Sequence, residues 1–323
     1  MSMNEIKLNA HAKLNLSLEV VGRREDGYHN IVSLMQGIGL CDIVTIKKCA
    51  KNGTKYNLPH CRIYLHDVYL CTDEKTIPTD MNNLALKGIK ALLKWDDTRF
   101  PEAELFVEID KRLPVAAGIA GGSGNAAAAM LGLNELMGAP WSLRDLMKIG
   151  AEVGADVPFS IFMNAYRNKD VLTGLAGIAE ASDAAWITGI GDIVEPAEAV
   201  SRYVIMANPG IAVSTADAYK AIDDIGYDDT NPNGTRRLFV NDLERYTLAS
   251  YRHAAVLKGL MEDMLCADEV LMSGSGPTIA AYYTGRERFA EDAKCMEALA
   301  SSDPKLRVWR TITGMTQEEA LLI

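Results

Sequence analysis

The sequence predicts an α+β protein, and three observations support this class. Residues 4–21 place apolar side chains at even positions, which is the alternation of a half-buried strand. Residues 126–137 repeat apolar side chains at the spacing of one helix face. The later segments alternate between strand and helix patterns in an irregular order, without a solenoid-type repeat. This order favours α+β layering over a doubly wound parallel sheet.

Length and composition indicate a soluble protein of two domains. The chain has 323 residues, 48% of them hydrophobic, and no apolar run long enough to cross a bilayer. We expect no signal peptide, and therefore a cytoplasmic location. The net charge of −10 argues against nucleic-acid binding as the main function.

The six cysteines form no C-x-x-C pair, and we expect them to be reduced thiols. Four residues of types that bind metal ions lie close together in the sequence: His60, Cys61, His66 and Cys71. Their spacing matches no standard zinc pattern, so the sequence does not predict a zinc site there.

The first strand carries polar residues on the face opposite to its apolar one. Lys13, Asn15 and Ser17 share that face. Considered alone, Lys13 is predicted to be a solvated strand lysine. Residues 22–29 follow as a polar turn with two arginines, an aromatic residue and a histidine, which suits either a hairpin tip or a ligand-binding loop.

Between this turn and residue 110 the pattern changes four times. The predicted segments are a strand over 32–48, an irregular region over 50–76, a helix over 84–93 and a strand over 104–109.

A glycine-rich loop runs from Leu113 to Asn125 into an Ala-rich helix. Glycines let an anion approach the backbone, and a helix N-terminus directs N–H groups at it, so the loop suits phosphate. No Gly-Lys-Ser/Thr follows, which excludes a Walker A loop. Gly122–Ala127 fits the weak dinucleotide-binding form G-x-G-x-x-A, although residues 111–114 separate it from the preceding strand. A tight helix crossing that needs small residues is the third interpretation.

The middle of the chain contains one clear cap and one isolated acidic residue. Ser142 and Asp145 have the spacing of a capping box. Asp156 follows Gly154 at a turn, a position that is typical of a cap or a turn former. Residues 164–182 have the composition of an insertion, and the pattern predicts a strand over residues 188–193.

The last third alternates strands and helices around a second glycine loop, Met272–Thr278. The predicted strands lie near 204–207, 270–271, 279–283 and 307–311, and the predicted helices span 216–222, 241–265 and 286–300.

Five motifs, taken in order, resemble those of the GHMP small-molecule kinases over most of the chain. They are Ala12–Leu16, Gly22–His29, Pro114–Asn125, Gly154–Pro158 and Ser273–Thr278. The second is the most discriminating, because it is similar to the G-R-R-x-D-G-Y-H signature of one branch. That branch acts on a diphosphocytidyl derivative of methylerythritol.

The resemblance implies the two-domain GHMP kinase fold. Residues 1–198 are expected to form a ribosomal S5 domain 2-like ATP-binding domain, and residues 199–323 a ferredoxin-like α/β domain. The resemblance also implies ATP-dependent phosphorylation of the substrate 2-hydroxyl, a step of non-mevalonate isoprenoid precursor biosynthesis, with Mg²⁺. The expected partner is a small molecule with a cytidine diphosphate group, without nucleic acid or membrane, and the protein is expected to be a monomer or weak homodimer.

The resemblance also implies the site residues. Catalysis is expected from Lys13 and Asp156. ATP contacts are expected from Pro114, Val115, Ala116, Ala117, Gly118, Ile119, Ala120, Gly121, Gly122, Ser123, Gly124, Asn83 and Lys111, with Ser123 as a Mg²⁺ contact. Substrate contacts are expected from Asn15, Tyr28, His29, Tyr219, Gly274, Ser275 and Gly276. In this scheme Tyr28 and Tyr219 sandwich the cytosine, and His29 bonds its polar edge.

Three alternatives stay open at this point. The first is a GHMP kinase for another alcohol, such as mevalonate or homoserine. The second is a nicotinamide dehydrogenase that uses Gly122–Ala127. The third is a non-catalytic sensor of the same fold, because the loop departs from the branch pattern G-G-G-L-G-G-G-S-S-N and has Gly124 in place of its second serine.

Overall fold

A computed structural model describes residues 4–50, 58–95, 103–115, 117–228, 231 and 234–314. The chain divides into two compact units, and neither is a continuous segment. Unit 1 consists of Met1–Ala12, Leu40–Val115 and Ala120–Asp183, and unit 2 consists of Lys13–Gly39, Ala116–Ile119 and Ala184–Ile323. The expected domain boundary after residue 198 is a family-based division, and it stays a prediction.

The described residues form strands and α-helices in mixed order. The strands are β1 Glu5–Asn15, β2 Glu19–Arg23, β3 His29–Ala50, β4 His60–Ile63, β5 His66–Thr72, β6 Ala103–Asp110, β7 Ala184–Thr188, β8 Ile193–Ala197, β9 Arg202–Asn208, β10 Glu269–Met272, β11 Ile279–Tyr283 and β12 Arg307–Thr313. The helices are α1 Leu84–Trp95, α2 Gly121–Leu136, α3 Leu143–Ala151, α4 Val157–Arg167, α5 Thr215–Ile225, α6 Glu244–Ser250, α7 Arg252–Met264 and α8 Arg286–Ser302. No described helix is long and apolar enough to cross a membrane.

In unit 1 the second half of β3 pairs antiparallel with β6, and β6 pairs parallel with β5. β4 then pairs antiparallel with β5. The expectation of an irregular region over 50–76 is therefore wrong where these two strands lie. The sequence did not indicate β5 because a polar residue, His66, takes a fully buried position at its start. The strand continues with the buried residues Val68–Leu70, so its buried positions do not alternate as an apolar pattern.

The helices of unit 1 pack closely because small residues lie at their crossings. α2 is buried over almost its whole length, as an Ala-rich helix without a polar face should be. A Cβ on Gly88 of α1 would lie 2.8 Å from Met130 Cγ of α2. A Cβ on Gly150 of α3 would likewise lie 2.6 Å from Ile161 Cδ1 of α4. A Cβ at either glycine would therefore require the facing side chain to shift.

Two buried asparagines attach α4 to β1, and both belong to the segment that resembled an insertion. Asn164 Oδ1 accepts a hydrogen bond from the His11 amide at 2.8 Å. Asn168 accepts from the Asn9 amide at 3.0 Å and donates to the Asn9 carbonyl at 2.9 Å. The start of the 164–182 segment is thus part of the packed interior of unit 1.

In unit 2 the strand order is β10-β11-β9-β12-β3, with every pair antiparallel. β7 pairs with residues 33–36 of β3 and forms a hairpin with β8. The predicted strand over 188–193 is wrong, because the turn of this hairpin lies there. Gly189 and Gly191 have φ values of 68° and 110°, which the turn requires and a strand does not.

Most other predicted elements are confirmed, including α1, α5, α8, β9, β11 and the hairpin of β2 with β3. The capping box is present, since Ser142 Oγ accepts from the Asp145 amide and Asp145 accepts from the Ser142 amide. The helix predicted over 241–265 is interrupted at Tyr251, where the backbone is extended.

Asp42 is the buried anchor of the residues that lead into the glycine loop. Its carboxylate lies 2.7 Å from Lys111 Nζ and accepts the amides of Arg112 and Leu113, both at 2.7 Å. The Asp42 and Lys111 side chains are almost fully buried. A buried ion pair with satisfied hydrogen bonds is costly to break from one side.

Replacing Asp42→Ala should lower the free energy of unfolding by about 3 kcal/mol, because it leaves a buried ammonium without its anionic partner. Urea denaturation measures this loss. Asp110→Ala is the matched control, since Asp110 pairs with Arg112 and its side chain is 44% exposed. The control should change stability by less than about 1 kcal/mol. Equal losses in the two variants would contradict the assignment.

Candidate active site

The glycine loop continues into α2, whose first turn begins at Gly121. Ala120 has a left-handed backbone with φ 56°, and its carbonyl accepts the Gly124 amide at 2.8 Å. Helix geometry leaves the amides of Gly121, Gly122 and Ser123 without intrahelical acceptors. These amides and the helix dipole favour an anion at this end of α2.

The glycines of this first turn serve different purposes. A Cβ on Gly124 would lie 2.8 Å from the His11 carbonyl oxygen of β1, so Gly124 is required by packing. Gly122 is exposed, and a Cβ there would meet the Leu84 side chain at 3.2 Å. The close contact at Gly124 is between α2 and a strand, whereas the third interpretation named a crossing of two helices. Only Gly122 of these two faces solvent, where a phosphate could approach.

Asp156 immediately precedes α4. Its backbone conformation is helical, its side chain is half-buried, and its carboxylate makes no capping hydrogen bond to α4. Asp156 therefore occupies the N-cap position of α4, one of the two roles predicted for it, without a side-chain capping hydrogen bond. Asp156 thus lies at the N-terminal end of α4.

Lys13 lies in unit 2 and is only 3% exposed, so the prediction of a solvated strand lysine is wrong. Its ammonium donates to Asn15 Oδ1 at 2.6 Å. Asn15 Nδ2 donates to Ser33 Oγ at 2.9 Å, and Ser33 donates to the Ser17 carbonyl at 2.5 Å. This buried chain fixes the orientation of the Asn15 amide and directs its oxygen to the ammonium.

The second glycine loop, Met272–Thr278, donates hydrogen bonds to Ala117 and Gly118 of the first glycine loop. Thr278 Oγ1 donates to the Ala117 carbonyl at 2.5 Å, and Ser273 Oγ donates to the Gly118 carbonyl at 3.2 Å. Gly118 has φ 73°, and a Cβ there would lie 2.8 Å from the Gly276 carbonyl oxygen. Gly118 therefore meets both a conformational and a packing requirement.

The second glycine loop is itself held by a side chain outside it. Asn241 Nδ2 donates to the carbonyls of Met272 and Gly274 at 2.7 and 2.8 Å. The Ser275 hydroxyl lies 2.7 Å from Thr215 Oγ1. Gly274, Ser275 and Gly276 are buried among these protein contacts, and their role toward a substrate stays a prediction.

A cluster of polar rings lies where β3 begins. The rings of His29 and Tyr219 stack with centroids 5.5 Å apart. His29 Nε2 lies 2.9 Å from Asp223 Oδ1, and Tyr227 donates to the same oxygen at 2.6 Å. Tyr28, at the adjacent hairpin turn, is 62% exposed and makes no ring contact within the described residues.

Asp223 and Tyr227 were not predicted from the sequence. Hydrogen bonds from Tyr227 and His29 hold the pKa of the Asp223 carboxyl below its ordinary value. Burial and the bond to Asp223 raise the pKa of Tyr227 to about 12. The sequence offered one indication of Asp223: it lies four residues after Tyr219, which places the two side chains on one face of α5.

Asn83 and Lys111 make structural contacts in unit 1. Asn83 donates to the Pro78 carbonyl at 2.7 Å and accepts the Ala85 amide at 2.9 Å, which caps the start of α1. Lys111 pairs with Asp42. Their predicted roles at adenosine stay predictions, and Ala116 lies outside the described residues.

The described ranges contain no group of three or more His, Cys, Asp or Glu side chains that could hold a metal ion. The Ser123 hydroxyl, half-buried in the first turn of α2, stays the candidate contact for a cation that arrives with a nucleotide.

Comparison with known proteins gives consistent matches. Residues 83–164 match the family described as GHMP kinases N terminal domain. The chain is 32% identical to a 4-diphosphocytidyl-2-C-methyl-D-erythritol kinase of Alkaliphilus metalliredigens, over 87% of this chain and 89% of that protein. A crystal structure of a 4-(cytidine 5'-diphospho)-2C-methyl-D-erythritol kinase has a TM-score of 0.69 at 25% identity, covering 96% of this chain and 100% of that one.

The fold extends beyond that branch. A homoserine kinase from Cytophaga hutchinsonii has a TM-score of 0.56 at 16% identity, covering 96% of this chain and 95% of that one. At this identity the similarity shows the fold alone. These neighbours define the class: an α+β, two-domain fold of the GHMP kinase type, as the sequence predicted.

The chain belongs to the GHMP kinase family, in the branch of its relatives named 4-diphosphocytidyl-2-C-methyl-D-erythritol kinase. The resemblance drawn from the five motifs is therefore confirmed. The nicotinamide dehydrogenase considered for Gly122–Ala127 is wrong, because the helix that follows belongs to a GHMP kinase domain.

Replacing Gly118→Ala should destabilise the protein by about 2 kcal/mol, because the new Cβ combines a positive φ with a backbone clash. Thermal and urea unfolding measure the change. Gly259→Ala in α7 is the matched control, since a Cβ at that position would meet nothing within 4 Å. An alanine in a helix interior should stabilise by about 0.5–1 kcal/mol. A neutral effect at Gly118 would contradict the packing requirement.

Proposed function

We propose that this protein transfers the γ-phosphoryl group of ATP to the 2-hydroxyl of 4-diphosphocytidyl-2-C-methyl-D-erythritol. The observation that carries the proposal is the 32% identity to a kinase of that name over 87% of the chain. The Gly22–His29 signature supports the same branch. The protein is thus a phosphotransferase with an alcohol acceptor, acting at the isoprenoid precursor step that the family resemblance implies.

Transfer of this kind needs positioning and charge stabilisation more than covalent chemistry. In the proposed mechanism Asp156 orients the acceptor hydroxyl and accepts its proton. The Lys13 ammonium stabilises the negative charge on the transferring group. Lys13 belongs to unit 2 and Asp156 to unit 1.

The ATP phosphates are proposed to bind the amides at the start of α2. Gly121, Gly122 and Ser123 supply N–H donors that intrahelical bonds leave available. Ser123 would be the protein contact of a Mg²⁺ ion bound with the nucleotide, and the ion would supply neutralisation of phosphate charge. Mg²⁺ usage and the cytoplasmic location remain parts of this proposal.

The acceptor is proposed to bind through residues of unit 2. His29 and Tyr219 lie together and can present one imidazole and one phenol ring to the cytosine. Tyr28 precedes His29 at the turn between β2 and β3, and its exposed ring is free to stack on a bound base. Asn15, already oriented by Ser33, is proposed to contact the substrate near its reacting hydroxyl.

The second candidate is a GHMP kinase that acts on another alcohol. The homoserine kinase of similar fold supports it, but only at the level of fold. The discriminating experiment is phosphorylation with ATP and Mg²⁺ across the diphosphocytidyl substrate, mevalonate and homoserine. Product from the first alone supports the proposal. Product from either of the others, or from none, overturns it.

The variants Asp156→Asn and Lys13→Ala should each lower kcat by about 100-fold or more, with a smaller effect on the KM for ATP. The reason is that both groups act on charge that develops during transfer. Steady-state kinetics of the folded variants measure this. The control for Lys13→Ala is Lys7→Ala, at an exposed position of the same strand, β1. The control for Asp156→Asn is Asp170→Asn, at an exposed position just after α4. Near-normal turnover by the catalytic variants would remove the assignment.

A further inference from the structure

The cluster around His29 contains a carboxylate that phosphoryl transfer does not use. Asp223 accepts on both oxygens: Oδ1 lies 2.9 Å from His29 Nε2 and 2.6 Å from the Tyr227 hydroxyl. Oδ2 lies 3.1 Å from Arg23 Nη1. Every one of these neighbours can donate a hydrogen bond, so the carboxylate has a purely accepting role.

The His29 ring is held from two directions. Its side chain is 8% exposed, and its face stacks on Tyr219 at an interplanar angle of 26°. Its edge is fixed by Asp223, and its backbone pairs with Arg23 at the start of β3. A ring restrained in this way keeps one nitrogen toward Asp223 and the other away from it.

These contacts determine which nitrogen carries the proton. An ionised carboxylate can only accept, so Nε2 must donate to it. The hydrogen bonds that lower the Asp223 pKa keep that carboxyl ionised. In the neutral imidazole Nδ1 is then an acceptor. Among the described residues the ring makes no hydrogen bond other than the one to Asp223.

We propose that Asp223 is a positioning residue that makes His29 Nδ1 an acceptor for the exocyclic amino group of cytosine, and so sets the base selectivity of the enzyme. This inference rests on the proposed function. The 4-amino group is the N–H donor on the polar edge of cytosine, whereas uracil presents a carbonyl oxygen there. An acceptor at Nδ1 attracts the first and repels the second.

The test compares the cytidyl substrate with its uridyl counterpart. Asp223→Ala should lower kcat/KM for the cytidyl substrate by about tenfold, through KM, and should lower the cytidyl-to-uridyl ratio by a similar factor. The KM for ATP should stay unchanged. Asp223→Asn keeps one acceptor oxygen and should restore most of the ratio. Asp224→Ala, an exposed neighbour on α5, is the matched control.

A second measurement reads the imidazole directly and needs no substrate. Nitrogen-15 NMR of the singly protonated His29 ring should show its proton at Nε2, and a mixture of tautomers in Asp223→Ala. His29→Gln identifies the signals among those of the five histidines. Tyr227→Phe removes only one hydrogen-bond donor from Asp223, and it replaces Asp223→Ala in the test if that variant does not fold. It should shift the tautomer balance and the cytidyl-to-uridyl ratio in the same direction, but by less.

Three outcomes would overturn the inference. They are protonation of His29 at Nδ1, an unchanged cytidyl-to-uridyl ratio in Asp223→Ala, and an Asp223→Asn variant as impaired as Asp223→Ala. A wild-type enzyme that phosphorylates neither nucleotide substrate overturns the proposed function, and the claim of base selectivity with it. Turnover by the wild type with an unchanged ratio in the variant overturns this inference alone.

Discussion

The proposed function depends on one buried charge, the ammonium of Lys13. Removing such a charge from water costs several kcal/mol, and the bond to Asn15 offsets part of that cost. Ser33 uses its own hydrogen-bonding capacity to orient Asn15. A protein that needed only stability at this position would place an apolar side chain there. In the proposed mechanism the charge is kept because it stabilises the transferring group.

Backbone packing explains the pattern of glycines better than phosphate binding alone. Gly118 and Gly124 each face a carbonyl oxygen at a distance that excludes a Cβ. Ala120, in contrast, tolerates a left-handed φ, at a cost of about 1 kcal/mol. Gly124, which stands where the branch pattern has its second serine, lets α2 pack against β1. The Ser123 hydroxyl is the one proposed to serve the nucleotide.

Local patterns could be predicted from the sequence, while long-range contacts could not. The capping box at Ser142 depends on residues three apart, and it is present. The burial of Lys13 was missed, because strand alternation cannot show that a polar face is also covered. Asp223 was missed because its partner His29 lies 194 positions away. β5 was missed because buried His66 broke its apolar pattern.

The most direct measurement compares stability and phosphoryl transfer in one preparation of Lys13→Met. We expect the free energy of unfolding to change by no more than about 1 kcal/mol, because replacing a buried charged group by an apolar one of similar volume is often nearly neutral. The single-turnover rate should fall by about 100-fold or more in the same sample. A variant that loses stability heavily and still transfers phosphate at a near-normal rate would show that Lys13 is a structural residue.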